Sequence, residues 1–371
     1  MGRYELLTDG RSAFDEILRR CAQARRSILV NMFVWRDDDI GSEIAKALLA
    51  AAKRGVHVTI LKDRLGGAYE RAEENGQSFW HKGADPCLWV SAAVLRLAMP
   101  PEKRRSPVKQ RCNPLVEALL YHPNVDAQVS KYRLDHTKYY IFDDEILISG
   151  GINIEEKEVV SDITGAKYHD FMFAARSRED VALFKRRLSR TAESAPAGAM
   201  DYICNSRVDG KYVRGILYGY LEFIAGASKT LCVMMPYIGE RSMERALLAA
   251  SLRGTDVTLI IPSRSNFQQE YNMLSAKRLY ERSGGRIKIY ITTLMCHSKL
   301  MIADSRRATL GSANLNRDGT SRGCQLNCVC TDPAFVAAVQ ADFDEKLAGA
   351  TLCRSFDYRP VKAFMEGIYA G

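Results

Sequence analysis

Two segments of the chain carry the same three chemically active side chains at the same spacing. In each segment a lysine follows a histidine by two residues, and an aspartate follows that lysine by five. The two sets are His136, Lys138 and Asp143, and His297, Lys299 and Asp304. A given histidine would meet both partners by chance about a few times in a thousand. Two matches among the six histidines of the chain therefore indicate a repeated functional motif.

A glycine and an asparagine follow each motif. They are Gly151 and Asn153 in SGGIN, and Gly311 and Asn314 in GSAN. Because residues two apart on a strand lie on one face, each motif histidine and its lysine are predicted to project together from one strand end.

These side chains suit phosphoryl transfer, which requires a nucleophile, a proton donor and cations around the equatorial oxygens. A neutral imidazole can attack phosphorus while a protonated imidazole donates to the leaving oxygen, and both forms are accessible near neutral pH. We therefore predict an enzyme with no metal site and no cofactor. The alternative is a duplicated strand with a core histidine and a solvated lysine, in a non-catalytic protein that binds lipid or nucleic acid. The presence of the catalytic residue types in both copies favours the enzyme.

An internal repeat must position the two motifs. The stretch ALLAAAKRGVHVTIL from Ala47 matches ALLAASLRGTDVTLI from Ala246, an offset of 199 residues, and both predict a helix, a glycine stop and a strand. A strand candidate precedes each, SILVNMFVW and KTLCVMMPYI. The motif segments repeat at an offset of only 161 residues, so the first half has 38 extra residues between Leu61 and His136.

The fold class that follows is α/β, with a mixed and largely buried sheet flanked by helices in each half. The small and polar stretch TAESAPAGAM predicts a linker between the halves. We therefore expect an N-terminal half at residues 1–195 and a C-terminal half at residues 196–371.

The double motif with its trailing glycine and asparagine resembles the phospholipase D superfamily, and NMFVWRDDDIG and RGVHVTILKDRLGG are most similar to its cardiolipin synthase branch. The resemblance extends from Ile28 to about Val329. It implies two similar halves packed side by side with pseudo-two-fold symmetry, with both motif histidines at one site. One histidine would form a phosphohistidine intermediate, and the other would act as general acid and then as base.

The resemblance also assigns the remaining motif residues. Lys138, Lys299, Asn153 and Asn314 match phosphate-binding positions. Asp143 and Asp304 complete the motifs, and we count them as candidate catalytic residues with a mainly structural part.

The family usually has a carboxylate after each glycine and asparagine segment, which orients the motif histidine. Asp170 matches this position in the first half. In the second half we expect the acid after Leu326 and Asn327, where Cys328 or Val329 stands instead.

This asymmetry bears on the roles of the two histidines. A carboxylate on one ring nitrogen fixes the tautomer and stabilises the charge that forms on attack, which favours His136 as nucleophile and His297 as acid and base. The alternative is that Asp170 only pairs with a surface arginine.

The extra residues of the first half include an apolar and basic segment, from about residue 78 to residue 111. Interfacial segments combine aromatic anchors with cations that meet anionic headgroups. We predict a membrane contact through Trp80, Trp89 and Leu95, beside basic residues that run from Lys103 to Arg111. The alternative is a core helix followed by a solvated basic loop.

Composition limits the classes of protein. Hydrophobic residues make up 47% and charged residues 26% of the chain, values that exclude a disordered or fibrous protein. The formal net charge of +9 suits an anionic partner. The ten cysteines include no CxxC pair, and we interpret the closest group, Cys324, Cys328 and Cys330, as small strand residues.

The leading functional hypothesis is a phospholipid phosphatidyltransferase or hydrolase that acts on an anionic phospholipid or another phosphodiester. The alternative is a nuclease, because the same superfamily cleaves nucleic acids with the same residues. No run of about 18 apolar residues and no signal-peptide apolar region are found. We expect a monomer in the cytoplasm, peripheral to the inner face of the membrane.

Overall fold

A computed structural model describes residues 2–73, 78–80, 86–98, 113–130, 134–162, 165–189, 195–208 and 211–370. The chain forms two compact units, Met1–Arg3 with Leu7–Val181, and Tyr4–Leu6 with Ala182–Gly371. The boundary predicted between residues 195 and 196 falls between the sixth helix and the ninth strand of the chain, and stays a prediction.

The first half alternates strands and helices. Its strands are β1 (Tyr4–Leu7), β2 (Ser27–Met32), β3 (His57–Asp63), β4 (Val125–Ser130), β5 (Tyr139–Phe142), β6 (Ile146–Gly150), β7 (Tyr168–His169) and β8 (Met172–Arg176). Its helices are α1 (Gly10–Gln23), α2 (Asp39–Lys53), α3 (Gly66–Ala72), α4 (Pro86–Ala98), α5 (Pro114–Leu120) and α6 (Arg178–Ser189). The strands from β2 to β8, apart from β7, lie in a mixed sheet in the order β8-β6-β5-β2-β3-β4, in which β2, β3 and β4 are parallel.

The second half repeats this plan. Its strands are β9 (Met200–Val208), β10 (Lys211–Arg214), β11 (Thr230–Met234), β12 (Asp256–Pro262), β13 (Lys288–Thr292), β14 (Met295–Cys296), β15 (Leu300–Ala303), β16 (Arg307–Gly311), β17 (Gln325–Cys330) and β18 (Thr351–Leu352). Its helices are α7 (Gly215–Ala225), α8 (Arg241–Leu252), α9 (Gln269–Arg282), α10 (Pro333–Ala348) and α11 (Pro360–Ala370). The sheet order is β10-β9-β17-β16-β15-β11-β12-β13-β18.

The strand register reproduces both offsets of the sequence repeat. The central strand β2 pairs in parallel with β3, which follows the repeated helix, and antiparallel with β5, which follows the motif lysine. The central strand β11 pairs in the same way with β12 and β15. In the first half Leu29 lies between Thr59 and Ile141, and in the second half Cys232 lies between Thr258 and Ile302. The predicted α/β class with two similar halves is confirmed.

The glycine stops of the repeat are also where the sequence predicts them. Gly55 follows α2 with a φ of 95°, and Gly254 follows α8 with a φ of 99°. A left-handed residue ends a helix because its backbone turns away from the helical path, and glycine adopts this conformation without steric cost. The chain then enters the core strands β3 and β12 directly.

Each unit has its own apolar core. In the first unit, side chains of α1 and α2 such as Phe14 and Ile44 pack on β2 and β3. In the second unit, side chains of α7 and α8 such as Phe223 and Leu247 pack on β11 and β12. Because the strands are buried in these cores, their sequences are continuous apolar runs. This packing fixes the strand ends firmly enough to orient functional residues.

The extra length of the first half includes α4. The three residues of the predicted membrane contact differ in their exposure. Trp89 is 52% exposed, whereas Leu95 is only partly exposed and Trp80 packs edge-on against Trp35 with ring centroids 6.1 Å apart. The predicted basic residues between Lys103 and Arg111 lie outside the described residues. Among the helices of the described ranges, none is both long and apolar enough to span a bilayer.

Candidate active site

The histidine and lysine of each motif lie immediately before a strand that pairs with the central strand of its sheet. His136 and Lys138 precede β5, and His297 and Lys299 precede β15. Each lysine is buried and donates a hydrogen bond to the carbonyl oxygen of its own motif histidine. The histidine and lysine of each motif are therefore held together at one strand end, as the spacing predicts.

In the first half, an aromatic ring supports both motif residues. The Phe33 ring lies edge-on to the His136 imidazole, with centroids 4.8 Å apart. The Lys138 ammonium lies 5.3 Å from the centroid of the same ring. Phe33 therefore restricts the imidazole by packing and stabilises the buried ammonium through a cation–π contact.

In the second half, the motif lysine contacts the imidazole directly. Lys299 Nζ lies 2.8 Å from His297 Nδ1. The ring of Tyr237 lies edge-on to the imidazole, with centroids 6.2 Å apart. A protonated lysine has only donors, so this contact assigns Nδ1 as acceptor and leaves the ring proton of neutral His297 on Nε2.

A glycine at the end of the next strand lets the chain turn toward each motif asparagine. A Cβ atom on Gly150 would lie 2.2 Å from the Phe171 carbonyl oxygen, and one on Gly311 would lie 2.2 Å from the Leu326 carbonyl oxygen. Only glycine allows so close a backbone approach. Gly150, rather than the predicted Gly151, is thus the counterpart of Gly311.

The amide of Asn153 is held at both ends. Its Oδ1 accepts a hydrogen bond from the Val34 backbone N–H at 3.3 Å, and its Nδ2 donates to Glu155 Oε1 at 3.1 Å. These two contacts fix which end of the amide is the donor. The remaining Nδ2 hydrogen is suited to donate to a phosphate oxygen.

Glu155 belongs to a buried network of four charged side chains. Arg36 pairs with Glu155 at 2.8 Å and with Glu73 at 2.9 Å, and Lys157 pairs with the same two carboxylates at 3.2 and 2.9 Å. Burial alone would raise the pKa of Glu155, but Lys157 and Arg36 together hold it below its ordinary value. The network therefore keeps Glu155 ionised as an acceptor for Asn153.

The second half has a neutral group at the position that corresponds to Glu155. Asn316 stands where the first half has Glu155; it accepts from the Gly319 N–H at 2.9 Å and donates to Gln268 Oε1 at 3.0 Å. The Oδ1 atom of Asn314 is buried and has no hydrogen-bond partner among the described residues. In either orientation of this amide, the polar atom at that position has no partner among the described residues. Because a buried polar group without a partner is costly, this atom is suited to bind a ligand.

The motif aspartates lie at the opposite end of the motif strands from the histidines. Asp143 accepts hydrogen bonds from the backbone N–H groups of Arg25, Arg26 and Ser27, at 2.7 to 2.9 Å. These donors hold the pKa of Asp143 below its ordinary value, although partial burial opposes the shift.

Asp304 does the same in the second half. It accepts from the N–H groups of Ser228, Lys229 and Thr230 at 3.0, 2.7 and 2.9 Å, which lowers its pKa against the opposing effect of partial burial. Both aspartates fix the chain where it enters the central strand of the sheet. We therefore propose a structural role for both, and their place among the candidate catalytic residues stays a prediction.

Asp170 lies beside the backbone of Gly151, in the segment that follows the first motif, and its predicted contact with the motif histidine stays a prediction. Its carboxylate oxygens lie 2.3 Å from the position that a Cβ atom on Gly151 would take, and Oδ1 accepts from the Phe171 N–H at 2.8 Å. Asp170 is 3% exposed, so a simple surface ion pair does not describe it.

The register corrects the predicted counterpart of Asp170 in the second half. Gly150 pairs with Met172, and Gly311 pairs with Asn327. Asp170 therefore corresponds to Gln325, not to Cys328 or Val329. Gln325 is buried, and its Oε1 accepts a hydrogen bond from Ser312 Oγ at 2.8 Å. The second half thus has a neutral amide in place of the carboxylate.

Sequence reasoning missed the residues that support the motifs. Phe33 and Tyr237 contact the motif histidines from distant parts of the chain, and Arg36 reaches the buried charged network at Glu155 from another distant part. The run of charges directly after Asn153, in IEEKE, is the one sequence signal that indicates such a network.

Comparisons with known proteins agree with this geometry. The family described as "Cardiolipin synthase, PLD-like domain" matches residues 17–190 and 220–347. The chain is 25% identical to a cardiolipin synthase of Oceanobacillus iheyensis, with 94% of this chain and 69% of that protein covered. It is 23% identical to the major cardiolipin synthase of Bacillus subtilis, with 95% and 70% covered.

Solved structures show a similar fold. The phosphatidylserine synthase of Haemophilus influenzae superposes with a TM-score of 0.65 at 13% identity, covering 99% of this chain and 92% of that protein. The polyphosphate kinase of Porphyromonas gingivalis gives a TM-score of 0.59 at 13% identity, covering 95% of this chain and 48% of that one. Because the family match covers more than half of its residues, the chain belongs to the cardiolipin synthase family of phospholipase D-like enzymes.

Proposed function

We propose that the protein is a phospholipid phosphatidyltransferase or hydrolase that acts through a phosphohistidine intermediate. The observation that carries the proposal is the pair of half-sites, each with a motif histidine next to a buried lysine. Family membership supports a phospholipid as the substrate class, because the matched relatives are cardiolipin synthases.

The proposed reaction has two steps on one phosphodiester. A ring nitrogen of neutral His136 attacks phosphorus, the bond to the leaving alcohol breaks, and protonated His297 gives its proton to the leaving oxygen. His297 then removes a proton from the incoming alcohol or water, whose oxygen attacks phosphorus and releases His136. An alcohol gives transfer and water gives hydrolysis, so the enzyme needs no other reactant.

The second half-site supports His297 as the proton carrier. Gln325 takes the place of Asp170 in that half, and a neutral amide stabilises a positive imidazole less than a carboxylate does, so protonated His297 gives up its proton more readily. The first half-site supports His136 as nucleophile, because the carboxylate of Asp170 follows the first motif and a carboxylate stabilises the positive charge that forms on attack.

The lysines and asparagines are proposed to bind the phosphate oxygens. Lys138 and Lys299 are buried, and a charge interacts more strongly with a phosphate where water is excluded. Asn153 has a fixed donor end, whereas Asn314 has a buried polar atom without a described partner. The two asparagines therefore differ in how firmly they are oriented before substrate binds.

A substrate panel tests the proposal. Purified protein is assayed with phosphatidylglycerol, with phosphatidylethanolamine plus alcohol acceptors, and with single- and double-stranded DNA, each with and without chelator. We expect lipid turnover that the chelator leaves unchanged. Turnover of DNA alone would make the protein a nuclease, and loss of lipid turnover that added divalent metal restores would overturn the metal-independent mechanism.

The intermediate is tested by trapping. After a quench that avoids acid, peptide mapping should locate a phosphorylated or phosphatidylated histidine at residue 136. A label on His297 would reverse the two roles, and a label on neither histidine would overturn the covalent mechanism.

A further inference from the structure

The first motif begins with a backbone turn that the second motif lacks. Leu134, two residues before His136, has a φ of 54°, in the left-handed region that disfavours residues with a Cβ atom. Its counterpart at the offset of 161 residues, Met295, lies in the extended strand β14. The motif aspartates, by contrast, have the same left-handed backbone in both halves, with a φ of 55° at Asp143 and 54° at Asp304. The turn before the histidine therefore distinguishes the two motifs.

The side chain of Asp135 closes this turn around the motif histidine. Asp135 Oδ1 accepts hydrogen bonds from the Thr137 N–H at 3.1 Å and from the Thr137 hydroxyl at 2.6 Å. A carboxylate that binds the N–H two residues further on forms an Asx-turn, and the residue inside this one is His136. One carboxylate thus fixes the backbone on both sides of the histidine.

Two buried residues from other strands hold the Asx-turn. Asp63, at the end of β3, accepts a hydrogen bond from the Asp135 N–H at 3.0 Å. Asn31, in β2, donates to the Thr137 hydroxyl at 2.8 Å and to the Thr137 carbonyl oxygen at 3.0 Å. We call Asn31, Asp63, Asp135 and Thr137 the polar clamp. A strained backbone such as that of Leu134 persists only where its surroundings over-determine it, and the polar clamp supplies such bonds.

The second half cannot form the same clamp. Three of the four members align with residues whose side chains are apolar: Asn31 with Met234, Asp63 with Pro262, and Asp135 with Cys296. None of these three side chains offers a strong hydrogen-bond acceptor or an amide donor. The backbone around His136 is therefore held by bonds that have no equivalent around His297.

We propose that Asp135 is a positioning residue that orients His136 for attack on phosphorus. The inference rests on the proposed function, in which His136 is the nucleophile. Asp135 would act through the Asx-turn and would not contact the substrate. Because the Phe33 ring also packs against the imidazole, both the backbone and the ring of His136 are held before substrate binds. Such preorganisation matters for attack, since a misplacement of about 1 Å can lower a rate by about a hundredfold.

The role of Asp135 is tested with bis(4-nitrophenyl) phosphate, with the enzyme in excess over the diester. Nitrophenolate is a good leaving group that needs little help from a proton donor, so its release in the first turnover measures attack by His136. Asp135→Ala removes the Asx-turn, whereas Asp135→Asn keeps an oxygen that can accept from the Thr137 N–H. The matched control is Cys296→Ala, which truncates the residue before the other motif histidine. Thermal unfolding is measured for each variant, and all assays are run below the melting temperatures.

We expect Asp135→Ala to slow the first-turnover release by about a hundredfold. The enzyme concentration that half-saturates this rate should change by less than about twofold, because the residues proposed to bind phosphate are untouched. Asp135→Asn should restore the rate to within about fivefold of the unmodified protein, because asparagine forms the same turn. Cys296→Ala should behave like the unmodified protein.

Three results would overturn the positioning role. They are a normal release rate in Asp135→Ala, an equal slowing in Cys296→Ala, and an Asp135→Asn variant that is as slow as Asp135→Ala. In parallel, the unmodified protein is quenched without acid and its peptides are mapped. The absence of a label on His136 would overturn the proposed function and this inference together, which distinguishes that failure from a failure of the clamp alone.

Discussion

The two motif histidines are expected to act as one catalytic unit. His136→Ala and His297→Ala should each lower kcat by about a thousandfold or more, and the double variant should be little worse than either, because nucleophile and proton donor fail together. Steady-state kinetics on lipid and on a soluble diester measure this. Effects that multiply in the double variant would indicate that the histidines act at independent sites.

Glu155 is expected to act on the reaction only through Asn153. Glu155→Gln removes one charge from the buried network, so we expect a loss of about 3 kcal/mol of unfolding free energy and a lower kcat/KM. In an Asn153→Ala background the same change should lower stability again but leave kcat/KM unchanged. A further fall of kcat/KM in that background would show that Glu155 does not work by positioning Asn153.

The structural role of Asp304 predicts a pH-dependent stability. Because its folded pKa lies below the ordinary value, its stabilisation is full above about pH 4 and is lost as pH falls through the folded pKa. Asp304→Asn should lower stability by about 1–2 kcal/mol at neutral pH and less at lower pH. Chemical unfolding at several pH values measures the difference.

The matching activity measurement separates the two possible roles of Asp304. The Asn variant should keep kcat below its melting temperature, since the carboxylate binds backbone amides at the far end of β15. A large loss of kcat with intact stability would return Asp304 to the catalytic residues.

At the level of elements, α4 carries part of the membrane contact that the sequence predicts. Trp89, Val90 and Val94 are 52%, 65% and 62% exposed, whereas Leu95 is only partly exposed. Changing the three exposed residues to serine should weaken binding to anionic vesicles and leave the melting temperature nearly unchanged.

The matched control is Leu95→Ser. A partly buried leucine contributes packing, so this change should lower the melting temperature more than the triple change does. If the triple variant is destabilised and its vesicle binding is unaffected, α4 is a core helix and the membrane prediction from sequence is wrong.

For the whole molecule, the net charge of +9 predicts salt-sensitive membrane binding. The Debye length falls from about 10 Å at 0.1 M to about 3 Å at 1 M salt, so raising the salt concentration should weaken binding to anionic vesicles. Hydrolysis of the soluble diester should change much less, because the motif lysines are buried. Salt-independent vesicle binding would show that apolar contacts alone hold the protein to the membrane.

The sequence by itself determined the doubled motif, the two α/β halves and the superfamily. These features are local, because residue types at a fixed spacing on a strand or helix appear directly in the chain. The offsets of 199 and 161 residues recur in the strand register because each repeated segment forms one rigid element. The helix ends at Gly55 and Gly254 can be predicted from the sequence because they depend only on the backbone conformation of these two residues.

Tertiary structure decided the supporting residues and the exposed faces. Arg36 and Glu155 are 119 residues apart in the chain, and no local pattern links them. The sequence alone predicts Cys328 or Val329 as the counterpart of Asp170, which is wrong because the pairing of neighbouring strands sets the register and places Gln325 there. Whether an amphipathic helix such as α11 faces solvent depends on which of its sides the rest of the fold covers, because the hydrophobic pattern is the same in both cases.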